Sequence, residues 1–333
     1  MVGVISAAKY AFPCGLVSAM PHTMSEEMYT SLINAGGVEE AIAVLEQSSY
    51  GKEVIEAAKL KIDLDAIERS VIQKYVNICK DVIFALPESD RAAVKSMLVE
   101  EWDILNLKRI LRGINNKRKV EENIQKLGPT GTIDMDKMRD LAGSDMKQAV
   151  DKIKAMGYHV KSDDIFNAEL DLDRELMSRW LNESERHPSL GNVVREQIDM
   201  LNLKVILRMK ITGRDPTRFI SETHYGKYLV KGILSEIAGS GFESIPDILN
   251  RTPYHGVFDE AFADYKKVGS IEKLELMIEK AISGYMMQQL PLTLEFVVNY
   301  LKRMRLDARN MRTILIGKIY GLSAEQIKAM LII

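Results

Sequence analysis

Apolar positions recur every three to four residues over most of this chain, and alternating runs of strand type are scarce, so the pattern predicts an all-α protein. The most informative stretch is DILNLKRILRG, Asp103 to Gly113, which returns at Asp199 as DMLNLKVILRM and at Asp307 as DARNMRTILIG. On a helix that begins with Asp103 at zero, Asn106 falls at about 300°, Leu107 at about 40°, Ile110 at about 340° and Leu111 at about 80°. Lys108, Arg109 and Arg112 occupy the opposite side, where long basic side chains reach water. The Asp and Asn of each copy therefore lie inside the apolar stripe.

A buried carboxylate costs on the order of several kcal/mol unless its oxygens are hydrogen-bonded. The candidate site residues are thus Asp103 and Asn106, Asp199 and Asn202, and Asp307 and Asn310, read as repeated structural positions. Their expected donors are backbone N–H groups at another helix's start, or the neighbouring Asn. Such a lock would fix helix register within each domain.

The rest of the chain repeats as well. LINAGGVEEAIAVLEQSSY (Leu32 to Tyr50), LAGSDMKQAVDKIKAMGY (Leu141 to Tyr158) and LSEIAGSGFESIPDILNRTPY (Leu234 to Tyr254) each read as a helix end, a glycine-containing break and a second short helix closed by Tyr. Tyr50 precedes Asp103 by the same interval as Tyr254 precedes Asp307, while Tyr158 stands closer to Asp199. IDLDAIER (Ile62 to Arg69), LDLDRELM (Leu170 to Met177) and GSIEKLEL (Gly269 to Leu276) each open a further helix on an acidic or hydroxyl N-cap. Boundaries fall near Asn115 and Gly213, giving helical repeat domains at 1–115, 116–214 and 215–333. Units of this length exceed a solenoid repeat of roughly 20 to 50 residues, and three similar domains about a pseudo-threefold axis fit them better.

Composition narrows the function. Net charge is −2, from 45 basic and 47 acidic residues, so no whole-molecule field draws the chain to nucleic acid or an anionic bilayer. Cys14 and Cys79 match no metal or redox spacing and read as small apolar residues of a reducing compartment. The N-terminus lacks the basic start of a signal peptide and predicts a first helix, and no apolar run is long enough to span a membrane. A soluble, cytoplasmic chain is the expectation.

Catalytic patterns are incomplete. Asp163 and Asp164 open the metal-binding sequence DDxxD, but its last place is not acidic and no second acidic motif follows; an exposed helix start explains the pair. His22, His159, His187, His224 and His255 have no metal-ligand spacing, and the glycines at 239 and 241 lack the rest of a dinucleotide loop. The basic run Lys108 to Lys119 carries no aromatic residue to stack a base, and Trp102 and Trp180 read as core. No catalytic, cofactor or metal residue is assigned. The alternative is an all-α metal-dependent enzyme whose acidic helix positions converge on an open cavity.

The block AGGVEEAIAVLEQSSYG, the string VEEWDILNLKRILRG with its two cousins, and the ending PLTLEFVVNYLKRMRLDARNMRTILIGKIYGLSAEQIKAMLI together resemble the central-rotor component of A-type and V-type ATPases, the C subunit of archaeal and bacterial enzymes and the d subunit of eukaryotic ones. The resemblance covers the whole chain. It implies a funnel of three helical domains that neither makes nor breaks a bond and has no cofactor. It further implies a monomer within a hetero-oligomeric complex, peripheral on the cytoplasmic face of the membrane. Its implied partners are the central-stalk D and F subunits and the proteolipid rotor ring, with no nucleic acid and no membrane span of its own.

Overall fold

The computed structural model describes residues 2–20, 24–58, 64–185, 188–256, 258–285 and 292–332. Helices account for the regular structure, and no strand occurs among the described residues. The class is all-α. In chain order the helices are α1 Val2–Ala19, α2 Glu26–Asn34, α3 Val38–Glu46, α4 Gly51–Ala58, α5 Leu64–Ala85, α6 Glu88–Lys95, α7 Glu101–Asn115, α8 Val120–Gln125, α9 Met135–Ala142 and α10 Met146–Ala155. They continue as α11 Ile165–Ser184, α12 Pro188–Ile211, α13 Thr217–Glu222, α14 Lys231–Gly239, α15 Ile245–Leu249, α16 Asp259–Val268, α17 Ile271–Tyr285, α18 Leu294–Ile319 and α19 Ala324–Met330. A single π turn, Ser96–Glu100, joins α6 to α7.

Packing divides the chain into two compact units, one of residues 1–157 with 289–333 and one of residues 158–288. In the first, α18 lies along α5 and also meets α1, α3 and α19, while α7 carries α8, α9 and α10. The stripe of α18 explains its position: Leu294, Val297, Val298, Leu301, Met304, Ala308, Met311, Ile314 and Leu315 are all buried at helical spacing. Asp307 and Asn310 interrupt that stripe and are buried with it. On α7 the same holds for Asp103 and Asn106 among Trp102, Ile104, Leu107, Ile110 and Leu111. Each large aliphatic side chain so buried contributes roughly 1.5–3 kcal/mol.

In the second unit α12 packs against α11, α14 and α17. Its core gathers Leu203, Ile206 and Leu207 of α12 with Phe219, Leu229, Tyr254, Phe258 and Phe262. The Tyr228 and Tyr254 rings meet edge to face with centroids 5.2 Å apart, a favoured aromatic geometry.

Helix starts follow local chemistry. Ser25, Asp134, Asp145, Asp164, Thr293 and Ser323 each accept an amide hydrogen from the first turn they precede. Ser270, ahead of α17, accepts from the Lys273 amide at 3.2 Å. LDLDRELM differs from its expected role: it lies inside α11, which starts at Ile165 behind the exposed cap Asp164. Asp171 is buried there and accepts the Lys161 amide at 2.7 Å and Arg174 at 2.9 Å, so it joins a loop to the helix flank. Ile62 and Asp63 of IDLDAIER fall outside the described residues.

Candidate functional site: three buried anchors

Asp103, Asn106, Asp199 and Asn202 have no exposed surface, and Asp307 and Asn310 are 4% and 1% exposed. At the first anchor both Asp103 oxygens accept the Thr132 amide, at 2.9 and 2.8 Å, while Ile133 N–H donates at 3.0 Å and the Thr132 hydroxyl at 2.6 Å. Asn106 beside it accepts the Gly128 amide and donates to the Pro129 carbonyl, both at 2.8 Å. At the second anchor Asp199 accepts the amides of Lys227, Tyr228 and Leu229 at 3.2, 2.8 and 2.9 Å and the Tyr254 hydroxyl at 2.9 Å. Asn202 donates to the His224 carbonyl and accepts the Thr223 hydroxyl, both at 2.8 Å.

These two anchors share one construction. The Asp receives the backbone that turns into a short helix, with Thr132 and Tyr228 each 29 residues downstream, and the Asn grips the same turn slightly earlier. The turn must come very close. A Cβ on Gly131 would stand 2.4 Å from the Val99 carbonyl oxygen and 2.7 Å from Asp103 Oδ1, and one on Gly226 2.0 Å from Asp199 Oδ1.

The third anchor is built differently. Asn310 still grips downstream backbone, donating to the Ile332 carbonyl at 2.7 Å and accepting its amide at 3.0 Å. Asp307 is completed from the other end of the chain, by Met24 N–H at 2.9 Å and the hydroxyls of Tyr29 at 2.7 Å and Tyr50 at 3.3 Å. Met24 immediately precedes Ser25, the N-cap of α2, as Ile133 precedes the N-cap of α9.

Two expectations change. The donors are N–H groups at the entry to another helix, joined by hydroxyls, while the neighbouring Asn bonds backbone rather than the carboxylate. The lock also does not stay within its sequence repeat, since each Asp reaches past its repeat boundary, to Thr132, to Lys227 through Leu229, or back to Met24. Likewise Tyr50 and Tyr254 donate to Asp307 and Asp199, not to the Asp that follows each of them in sequence.

A pair of lysines outside the candidate residues is part of the same design. Lys210, near the end of α12, donates to the carbonyls of Ala238 and Ser240, and Lys318, near the end of α18, to those of Ile33 and Ala35. Both lysines satisfy carbonyls at the end of a short helix. The signal available was their common position eleven places after the anchoring Asp, where α7 has Ile114.

Electrostatics follow from burial. Burial pushes the Asp307 carboxyl up to about 6, against the pull of Met24 N–H and of the Tyr29 and Tyr50 hydroxyls. Burial raises Asp199 too, opposed by the Tyr228 and Leu229 amides. Burial and the adjacent carboxylate hold the phenols of Tyr29, Tyr50 and Tyr254 far above their ordinary range, so they remain donors.

The other candidates stay apart. His159 faces Glu175 at 2.8 Å on the surface, His255 lies 3.1 Å from the Asn250 carbonyl, and burial lowers His224; His22 and His187 fall outside the described residues. Both cysteines are buried free thiols, with Cys79 pushed up to about 12 by burial. Trp102 and Trp180 are core residues. Among the described residues no group of His, Cys, Asp and Glu could hold a metal ion, and no helix is long and apolar enough to cross a membrane.

Comparison with known proteins assigns this architecture. The chain is 25% identical over 353 aligned positions to the C subunit of the A-type ATP synthase of Methanocaldococcus jannaschii, covering 99% of this chain and 88% of that protein. It is 26% identical to the C subunit of the Archaeoglobus fulgidus A-type ATP synthase, covering 93% and 92%, and 22% identical to that of Methanosarcina mazei, covering 98% and 94%. The family described as ATP synthase (C/AC39) subunit matches residues 14–330, a span that holds the Asp and Asn of all three anchors, and the chain belongs to this family of A/V-type ATPase subunits.

Proposed function

We propose that this chain is a non-catalytic central-stalk subunit that couples the rotating stalk of an A/V-type ATP synthase to its ion-translocating membrane ring. The observation that carries the reading is its full-length similarity to proteins named as the C subunit of A-type ATP synthases. The D and F stalk subunits would bind on one side and the proteolipid ring on the other, at the cytoplasmic face. The repeats at 1–115, 116–214 and 215–333 would form similar domains about a pseudo-threefold axis, a funnel able to seat a shaft.

The chemistry of the anchors supports a mechanical part. The side chains best suited to acid–base or metal work, Asp103, Asp199 and Asp307, have their oxygens occupied by backbone amides and hydroxyls, which fixes helix positions. A body that transmits torque needs such joints, because a buried hydrogen-bonded carboxylate resists sliding of one helix past another more sharply than apolar contact does.

The test is reconstitution of the complex in vesicles with and without this chain. Without it, ATP hydrolysis by the soluble head should continue while ion pumping falls to background, and adding the purified chain with the D and F subunits should restore pumping. Pumping at full rate without the chain would contradict the coupling role. Strong binding of the isolated chain to vesicles that lack ring protein would contradict attachment through the ring.

A further inference from the structure

The third anchor joins the two ends of the chain. Asp307 on α18 is tied to Met24 and Tyr29, 283 and 278 residues away, and to Tyr50, 257 residues away. Release of these bonds would leave Lys318 of α18 on the Ile33 and Ala35 carbonyls at the end of α2, so it would loosen this joint without breaking the covalent path between any neighbouring helices. Only one of the donors is a backbone amide. The other two are phenols, and a phenol oxygen can accept as well as donate.

The surroundings of Asp307 suit a change of charge. Tyr29 comes from α2, Tyr50 from the turn between α3 and α4, and Tyr300 and Arg303 from α18 itself. Lys74 of α5 lies over the Tyr50 ring at 5.6 Å but is held by Glu53 of α4 at 2.8 Å. Arg303 acts on the carboxyl through its charge, and this pull is weaker than that of Met24 N–H and the two phenols. The Tyr29 oxygen already accepts from Asn310 at 3.1 Å, whereas Tyr50 can rotate its hydroxyl and accept a proton-bearing carboxyl. The protonated anchor therefore gives up the long Tyr50 donation, at 3.3 Å, for a bond in the reverse direction and loses the larger cost of burying a charge.

We propose that this joint is a proton-linked clasp: protonation of Asp307 holds α2 and α3 more firmly against α18, and ionisation loosens them. The direction follows from linkage, since an opened clasp exposes Asp307 to water and so binds the proton less tightly than the closed one. The closed carboxyl, at about 6 against an ordinary 3.8, supports the same direction. Between pH 7 and pH 5 the closing constant should rise about tenfold.

Hydrogen exchange of the full chain tests this, read by mass spectrometry on peptides within residues 24–50 and corrected for intrinsic exchange. Protection should rise about tenfold from pH 7 to pH 5 in the wild type, and Asp307→Asn should abolish the rise. No rise in the wild type, or the same rise in the variant, would overturn the clasp. If Asp307→Asn fails to fold, the carboxyl carbon of Asp307 is titrated by NMR in the wild type: a midpoint near 6 supports the proposal, and one below about 4.5 overturns it.

Discussion

The first and third anchors use the same Asp and Asn at the same helical spacing, yet they are closed by different parts. Asp103 takes backbone from a turn 29 residues ahead, whereas Asp307 takes one amide and two phenols from the opposite end of the chain. The difference shows that the repeat unit in sequence is not the closing unit in space. The Asp of α7 and that of α12 are each completed by the turn that follows, whereas the Asp of α18 is completed by Met24, Tyr29 and Tyr50 while its Asn holds the downstream Ile332. The sequence-local joint closes a short loop, while the terminal joint closes one of 283 residues, at a cost that grows only slowly with length.

Close approach at the first two anchors depends on Gly131 and Gly226. Gly226→Ala places a methyl 2.0 Å from Asp199 Oδ1 and 2.5 Å from the Arg195 carbonyl oxygen. It should lower stability by about 3 kcal/mol, measured by urea unfolding of the second unit's signal. A loss below about 0.5 kcal/mol would mean that the turn does not sit on the carboxylate.

Next in size is Asp103→Ala, which leaves Thr132 and Ile133 amides without their acceptor. The loss should be roughly 1–3 kcal/mol. An unchanged urea midpoint would show that these donors have other partners.

A pH series sharpens the contrast through Asp307. Its folded value of about 6 lies above the ordinary 3.8 because of burial. The group therefore contributes stability that is full below about pH 4 and is lost as pH rises through about 6. Relative to Asp307→Asn, the wild type should gain about 1.4 kcal/mol between pH 7 and pH 5. Stability differences that stay constant or reverse in that window would contradict the assigned burial cost.

The smallest expected effect separates the lysines. Lys318→Met removes donors from the Ile33 and Ala35 carbonyls and should cost about 1 kcal/mol. Ile114→Lys on α7, where the first copy has no such lysine, should bring no comparable gain, since surface additions usually stay within about 0.5 kcal/mol. Thermal unfolding of the two variants beside the wild type measures both.

What was legible in the sequence was local. Helical period alone put Asp103, Asn106 and their counterparts inside the apolar stripe, because 3.6-residue geometry needs no knowledge of the partner. The partners were not legible, since a turn 29 residues ahead and an amide 283 residues behind leave no periodic trace. Equal spacing of Tyr50 before Asp103 and Tyr254 before Asp307 invites a pairing that does not form. Spacing records duplication of the chain, while the hydroxyls bond across the duplication boundary. LDLDRELM misleads in a similar way, since its acidic residues resemble caps but one is buried on a helix flank against Lys161 and Arg174. The family was legible throughout, because the order of these pieces persists over the whole length.

The most direct measurement is a pair of double-mutant cycles on urea stability, crossing Tyr29→Phe/Tyr50→Phe with Asp307→Ala and, separately, with Asp103→Ala. The tyrosines should couple to Asp307 by about 1–2 kcal/mol and be additive with Asp103 to within about 0.5 kcal/mol. Additivity with Asp307, or coupling to Asp103 instead, would contradict the account of an anchor that joins the two ends of the chain.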